Sequence, residues 1–387
     1  MIEHEQAADT AVLPDAALPA AEAADLGTPA PLRFGFSGSG AEYFRIWIVN
    51  LLLSVATLGI YSAWAKTRRL QYFYRNTQLA GASFDFRGDP KAILRGRLLA
   101  VVLLAVYHYA FGFSAMAGAT TVVVLVAALP FMMRSALRFR LSNTWYRGLP
   151  FGFSGGAGAA YRVYALPMAM FILPGALVTM MPDTPMVRAI FLLYLAWPLM
   201  HGAMKSYQHG HLMYGDRRAD FGATTTELAA PYVGAVIAGI VFAVLYGIVV
   251  YAAASTAGTG RGRLAGSVVI LLAVVLLYLF FILAALFVMV RMNNMAWSDT
   301  SFPGVRIVSS MRLRSYFRLQ AVNVVLTLLT LGLFRPFAAV RTWRYRLAHA
   351  HVEAPGGFEA ATGQAGRRSA SAAGDGSAEF LGLDLSW

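Results

Sequence analysis

The chain of 387 residues is 58% hydrophobic and only 13% charged, with a mean hydropathy of +0.57. A soluble core cannot absorb that much apolar surface, so the composition indicates a polytopic membrane protein. The chain has no cysteine, which excludes disulfides, thiolate metal ligands and cysteine nucleophiles. The net charge of +13 does not predict a nucleic-acid partner, because the basic residues flank apolar segments instead of covering a soluble face.

Composition divides the chain into three regions. Residues 1–32 contain acids, Ala and Pro but no Lys or Arg, so they lack the basic and apolar parts of a cleaved signal peptide and predict a disordered acidic tail. Residues 33–352 hold the apolar segments and predict one multi-pass transmembrane domain. Residues 353–387 are rich in Gly, Ala and Ser and predict a second flexible tail.

Eight apolar stretches predict an all-α fold with about eight transmembrane helices. Six of them form three close pairs, expected to be helical hairpins, and the other two stand alone at the ends of the domain. In chain order, the predicted helices are about 46–63, 98–113, 118–133, 163–182, 186–204, 231–253, 265–290 and 317–334. Two topologies remain open: eight crossings with both tails external, which we favour, or six crossings with re-entrant or kinked ends and both tails cytoplasmic.

Basic residues predict the orientation. If every hairpin spans the bilayer, the four long loops must share one side. The short hairpin turns carry only Arg188, Arg261 and Arg263, whereas the long loops carry 21 Lys plus Arg, divided as 8, 5, 3 and 5 among 64–97, 134–162, 205–228 and 291–318. The positive-inside rule therefore predicts that the long loops are cytoplasmic.

An aromatic motif recurs just before the predicted helices, as FGFSG at 34–38, FDFRG at 84–88 and FGFSG at 151–155. Asn76-Thr77 likewise returns as Asn143-Thr144, and the two end segments resemble each other, so the sequence predicts repeated units. We interpret the motif as an interfacial anchor that sets the entry of each helix. The alternative is that similar loops converge on the cytoplasmic face around a common binding surface.

The runs YFRIWIVN, TLGIYSAWAKTRR, YFYRNT and SFDFRG, which begin at Tyr43, Thr57, Tyr72 and Ser83, are long and specific. With them the chain resembles the YjgN-like family of bacterial inner-membrane proteins, which is built on a membrane domain of unknown function. The resemblance extends from about Leu32 to about His351. It implies a multi-pass protein of the bacterial inner (plasma) membrane, and it implies no catalytic residues.

Two groups of residues are candidates for functional contacts. Asn50 and Asn323 occupy matching positions in the two end helices, where an amide in hydrocarbon needs a partner, so they are a candidate intramembrane polar pair. They suit interhelical hydrogen bonding, with a substrate or ion contact as the alternative. The other group is expected at the inner headgroups and contains candidate contacts to anionic lipid: Trp64, Lys66, Arg68 and Arg69.

No catalytic or cofactor site is predicted. Walker-type and HExxH motifs are missing from the sequence, and membrane-embedded acids are nearly missing too. The histidines at 201, 209 and 211 and those at 349 and 351 have no carboxylate or cysteine at a matching spacing, so we expect no metal site. The sequence leaves the biochemical function open: the first hypothesis is a small-solute permease, the alternative is a non-transporting membrane scaffold or lipid-interacting protein, and we do not expect an enzyme.

Overall fold

The computed structural model describes residues 31–180, 191–257 and 262–355. Most of both predicted tails lies outside the described residues, as do residues 258–261 and the segment 181–190, where the predicted helix 186–204 begins.

Ten α-helices make up most of the described part of the chain. Two of them, α1 and α9, are only 17 residues long, and a short 3-10 helix at Phe191–Ala196 precedes α6. The helices are α1 Gly40–Ala56, α2 Ser62–Arg75, α3 Pro90–Phe113, α4 Ala115–Ser142, α5 Ala157–Met180, α6 Trp197–Gly210, α7 Thr225–Ala257, α8 Gly262–Ser298, α9 Leu313–Leu329 and α10 Arg335–Ala348.

Eleven short strands between the helices show that the all-α prediction is wrong. Each strand has only two to five residues, too few to be recognised from alternation alone. The strands are β1 Leu32–Phe36, β2 Thr77–Leu79, β3 Ala82–Phe86, β4 Thr144–Tyr146, β5 Leu149–Phe153, β6 Leu212–Tyr214, β7 Arg217–Arg218, β8 Asp220–Phe221, β9 Thr300–Phe302, β10 Val305–Ser309 and β11 Ala350–Glu353.

All eleven strands form one antiparallel sheet in the order β7-β6-β5-β4-β3-β2-β1-β11-β10-β9-β8. The strands at its two edges, β7 and β8, are separated in the chain by Ala219 alone. Since the amide of Ala219 also donates to the carbonyl oxygen of Leu212 at 2.8 Å, the two edges are joined through one residue and the sheet closes into a ring. Closure removes the exposed edges that an open sheet would present.

Each pair of helices connects two neighbouring strands of this ring. The described part of the chain therefore forms five strand–helix–helix–strand units: β1-α1-α2-β2, β3-α3-α4-β4, β5-α5-α6-β6, β8-α7-α8-β9 and β10-α9-α10-β11. Because the two strands of each unit pair with each other, every helical pair leaves the ring and returns to it.

The prediction of eight crossings with external tails does not fit this topology. Strands β1 and β11 pair side by side, with Leu32 opposite Val352, so the two ends of the domain lie on the same side as the long loops. Helices α1 and α9 are about 25 Å long at 1.5 Å per residue, less than the roughly 30 Å of hydrocarbon. The topology corresponds to the alternative in which the end units fold back, and we call α1–α2 and α9–α10 the short pairs.

Five other helical segments are long and apolar enough to cross a membrane. They are Pro90–Phe113, Ala115–Ser142, Ala157–Val178, Thr225–Ser255 and Ala265–Ser298, and they lie in α3, α4, α5, α7 and α8. The described residues therefore show a multi-pass membrane domain whose helices all attach to one ring.

The same backbone contact joins ring and helices in every unit. In each unit, the backbone amide of the residue after the first strand donates a hydrogen bond to the carbonyl oxygen of the residue after the second helix. These bonds, of 2.8 to 3.0 Å, run from Ser37 to Asn76, Arg87 to Asn143, Ser154 to His211, Gly222 to Asp299 and Ser310 to His349.

The glycine that ends the aromatic motif lies against the second aromatic residue of that motif. A Cβ at Gly155 would lie 2.5 Å from the ring of Phe153 and 2.6 Å from the hydroxyl of Tyr207, and Gly38 and Gly88 face the rings of their own strands in the same way. Only glycine allows the chain to pass this close to the ring before it enters the next helix. The three copies of the motif lie on β1, β3 and β5, within one sheet.

Candidate functional site

A chamber of about 270 Å³ lies inside the ring, where the strands meet the ends of the helices. Every one of the five units contributes to its lining, for example through Phe34, Tyr146, Leu212, Trp297 and Trp343. Alternate residues of each strand point to one face of a sheet, so a closed ring necessarily gathers such residues around a common axis. The chamber is therefore the place in the described structure where all units converge.

Aromatic side chains line the inside of the closed sheet at the level of the chamber. Phe84 stacks on Tyr146 with ring centroids 4.5 Å apart and lies 6.4 Å from Phe34 and 6.3 Å from Phe151. Phe151 in turn lies 5.0 Å from Tyr214. These contacts form a continuous apolar wall through the first three units.

The final turns of the helices contribute the polar groups of the chamber. Arg140 near the end of α4 and Arg346 near the end of α10 bring two guanidinium groups to a mostly apolar lining, together with Asn293 of α8. Arg140 is only 7% exposed. A ligand that suits such a lining has an apolar body and an anionic group, because guanidinium recognises carboxylate, sulfonate or phosphate oxygens.

Hydroxyl groups at the chamber are largely committed to the protein itself. Thr77 donates to the carbonyl oxygen of Phe73 at 2.7 Å, and Thr144 donates to that of Arg140 at 2.9 Å. The indole of Trp343 donates to the Thr77 hydroxyl at 3.0 Å. The side chains of Arg140, Arg346 and Asn293 are the lining groups whose N–H donors suit the oxygens of an anion.

The predicted polar pair lies away from this chamber. Asn50 on α1 and Asn323 on α9 are 6% and 3% exposed, and neither lines the chamber. The side-chain amide of Asn323 donates to Gln320 and Thr342, both at 3.3 Å, and thus links α9 to α10. The hydrogen bonds described for Asn323 are made within its own short pair.

The predicted headgroup contacts lie together on α2. Arg68 and Arg69 are exposed, while Trp64 and Lys66 are half-buried. Trp64 stacks on Tyr61 with centroids 6.1 Å apart, and the Arg68 guanidinium lies 5.7 Å from the centre of the same Tyr61 ring.

Histidines occupy structural positions in the described part of the chain. His211 and His349 follow α6 and α10, and each has its Nδ1 2.9 Å from the carbonyl oxygen four residues earlier. Asn76 and Asn143 make the same contact after α2 and α4 through their side-chain amides. Burial lowers the pKa of His211 below its usual value. No group of three His, Asp or Glu that could hold a metal ion occurs among the described residues.

Sequence reasoning did not identify the chamber residues. Arg140 counted only as one of the basic residues that set orientation, and Trp297, Trp343 and Arg346 are far apart in the chain. The available signal was positional: Arg140 comes four residues before Thr144, which belongs to the Asn-Thr pair seen at 76–77 and again at 143–144. Without the ring, nothing indicated that these positions from different units face one another.

The five candidate spans and the ring to which they attach define a multi-pass membrane protein with a closed β-structure at one face of the bilayer. Residues 31–380 match the family described as "Bacterial protein of unknown function (DUF898)", and the chain belongs to that family.

Curated relatives agree with this assignment. The chain is 31% identical over 145 residues to "Inner membrane protein YjgN" of Salmonella typhimurium strain LT2, an alignment covering 35% of this chain and 35% of the relative. Proteins of the same name from Escherichia coli O157:H7 and strain K12 are 32% identical over 146 residues, with 36% of this chain and 35% of each relative covered. The alignments thus span about a third of each relative's length. No solved structure matches the chain.

The resemblance inferred from the motifs is thereby confirmed, and so is the location: the chain is a multi-pass protein of the bacterial inner membrane.

Proposed function

We propose that the protein is a permease for small organic anions with an apolar body, and that the ring chamber is its binding site. The single observation that carries this proposal is the convergence of all five units on one chamber lined by Arg140 and Arg346. A site formed by every unit can respond to movement of any helical pair, which is what a carrier requires.

Prolines inside the membrane helices add support. Pro130 lies inside α4, Pro167 and Pro174 inside α5, and Pro231 inside α7. Proline removes a backbone hydrogen bond and leaves a carbonyl oxygen free to line a polar path or to permit bending. We also propose that the five units arose as internal repeats, as the units of many transporter folds did.

A catalytic role is not proposed. The lining formed by described residues contains no Asp, Glu, His or Lys, and the hydroxyls of its Tyr146 and Tyr214 donate to backbone carbonyl oxygens.

Efflux from proteoliposomes tests the permease. Vesicles containing the purified protein would be loaded with naphthalene-1-sulfonate, whose fixed charge prevents it from crossing lipid unaided. We expect efflux faster than from protein-free vesicles, reduced at least tenfold by Arg140→Gln, because loss of one charge-assisted contact costs about 1.5 to 3 kcal/mol. Arg306→Gln, at an exposed position of β10, is the matched control and should leave efflux unchanged. Efflux equal to that of protein-free vesicles would contradict the proposal for this class of anion.

A second candidate is a non-transporting scaffold that interacts with lipid. The observation that favours it is the exposure of α7 and α8: none of the apolar window of α7 and only 6% of that of α8 is buried. Apart from their contact with each other, in which Phe242 stacks on Phe280 with ring centroids 4.4 Å apart, these two helices present their surface to lipid. The scaffold would be preferred if binding to the chamber occurred without any efflux.

A further inference from the structure

The same unusual turn connects the two helices of each short pair. Leu58 and Leu331 adopt left-handed backbone conformations with φ of 49° and 50°, and each is followed by a glycine with φ of 90° or 93°. A left-handed conformation costs a residue other than glycine about 1 to 2 kcal/mol. Both leucines are nevertheless 95% exposed, so neither is held by packing inside the protein.

The backbone of each turn is closed by internal hydrogen bonds. The amide of Gly59 donates to the carbonyl oxygen of Ser54, and that of Gly332 donates to Thr327, both at 2.7 Å. Satisfied backbone groups are the condition for entering hydrocarbon, where no water is available to replace missing partners. The exposed side chains around each turn are also apolar, including Val55, Ile60, Leu328 and Leu329.

Behind each turn, a guanidinium group lies over an aromatic ring. Arg68 is 5.7 Å from the centre of the Tyr61 ring, and Arg341 is 5.9 Å from that of Phe334. Both arginines are exposed. An arginine positioned on an aromatic ring loses little freedom when its remaining N–H groups bind phosphate oxygens.

The two short pairs also adjoin each other. Phe44 of α1 lies 5.7 Å from Phe337 of α10, ring centre to ring centre. Neither α2 nor α10 contains an acidic residue; α2 carries four Lys or Arg, and α10 carries three arginines besides Arg346, which lines the chamber. A joint surface of this charge is complementary to the anionic lipids of a bacterial inner membrane.

We propose that the short pairs form a twin anchor for anionic phospholipid. Their Leu58 and Leu331 turns enter the hydrocarbon of the leaflet nearest the ring without crossing it, while Arg68 and Arg341 bind the phosphates of anionic headgroups above the turns. The anchor does not rest on the proposed permease, because none of these four residues lines the chamber.

Depth measurements test the insertion. The chain lacks cysteine, so single variants Leu58→Cys and Leu331→Cys can carry a nitroxide label without other changes. In vesicles, we expect both labels to be reached by oxygen more readily than by a water-soluble nickel chelate. Gln78→Cys, exposed on β2 of the ring, is the control and should show the reverse. Labels at 58 and 331 as accessible to the nickel chelate as the label at 78 would overturn the insertion.

Lipid dependence tests the binding. Adding phosphatidylglycerol to the purified protein in neutral detergent should raise its thermal midpoint, whereas phosphatidylcholine and inorganic phosphate should not. We expect the double variant Arg68→Gln/Arg341→Gln to lose most of this shift and Arg306→Gln to keep it. Both substituted arginines are exposed, so the midpoint without lipid should stay close to that of the unmodified chain.

Three outcomes would refute the lipid site: an equal shift with phosphatidylcholine, an equal shift with inorganic phosphate, or an undiminished shift in the double variant. Arg140→Gln should reduce naphthalenesulfonate efflux at least tenfold without changing the phosphatidylglycerol shift, so failure of the anchor and failure of the permease can be told apart.

Discussion

The hydroxyl of Tyr146 donates a hydrogen bond to the carbonyl oxygen of Leu79, 2.6 Å away, and so ties the second unit to the first. Tyr214 repeats the contact one unit further on, donating to the carbonyl oxygen of Tyr146 at 3.1 Å. These bonds cross the boundaries between units inside the ring, where few water molecules can compete. They therefore hold neighbouring units in register.

Tyr146→Phe should lower the stability of the domain by about 1 kcal/mol, the usual value of a buried hydrogen bond. Phenylalanine keeps the stacking on Phe84, so the loss reports the hydroxyl alone. Thermal unfolding in detergent provides the measurement. Tyr278→Phe, at an exposed position on α8, is the control, and an equal loss in that variant would argue against a specific role for the Tyr146 hydroxyl.

Gly155→Ala should destabilise the domain by about 1 to 3 kcal/mol, the cost of forcing atoms into a packed site. The new methyl group would meet Phe153 and Tyr207, both of which are buried. The adjacent Gly156→Ala is a closely matched control, because a Cβ there meets no atom within 4 Å. If the two variants had the same thermal midpoint, the close contact of Gly155 with Phe153 and Tyr207 would not explain the glycine of the motif.

The carboxylate of Asp85 predicts a pH dependence. Burial alone would raise its pKa, but hydrogen bonds from Arg75 at 2.8 Å and Arg87 at 3.1 Å outweigh burial and lower the pKa. A pKa lowered by folding stabilises the folded state above the unfolded value of about 3.9, and this contribution is lost as the pH falls through the folded value.

Asp85→Asn should therefore cost about 0.5 to 1 kcal/mol at neutral pH, a small value because solvent screens the pair, and nothing well below pH 4. Thermal midpoints recorded from pH 7 downward for both proteins measure the difference. A gap between them that persisted at the lowest pH would mean that the ionic contacts are not its cause.

Asn323 and Thr342 should be energetically coupled through their hydrogen bond between α9 and α10. A double-mutant cycle with Asn323→Leu and Thr342→Val is expected to give a coupling of about 0.5 to 1 kcal/mol, typical of polar contacts in membrane helices. Strictly additive losses of stability would show that Asn323 does not act by joining the helices, and would favour the alternative of a substrate or ion contact.

Long apolar segments made most of the helices predictable. The predicted stretches 98–113, 118–133, 231–253 and 265–290 all lie inside helices of the structure, because crossing a bilayer demands a run of apolar residues that no other element needs. The end segments misled the prediction: 46–63 and 317–334 are apolar enough for a span, but each includes the Thr-Leu-Gly turn at which the chain reverses.

The ring and its chamber were beyond prediction for a different reason. A strand such as Thr144–Tyr146 is stabilised by pairing with residues about sixty positions away in the chain, and three residues carry no periodic signal of their own. The motif Phe-x-Phe did show the alternation of a strand, but its position before a helix suggested an interfacial anchor. Arg140 and Arg346 meet at one chamber only because the ring closes.

Because β1 pairs with β11, the first and last units are neighbours in the ring. The same order of units around the ring is therefore kept when the chain begins and ends at another point. A circular permutant that joins the segment after Glu353 to Leu32 with a short linker, and opens the chain between Ala80 and Gly81 in the β2–β3 turn, would keep every strand pair and every helical pair. In such a permutant, the first short pair would be translated last, next to its counterpart, so the order of membrane insertion could be changed without altering the folded architecture.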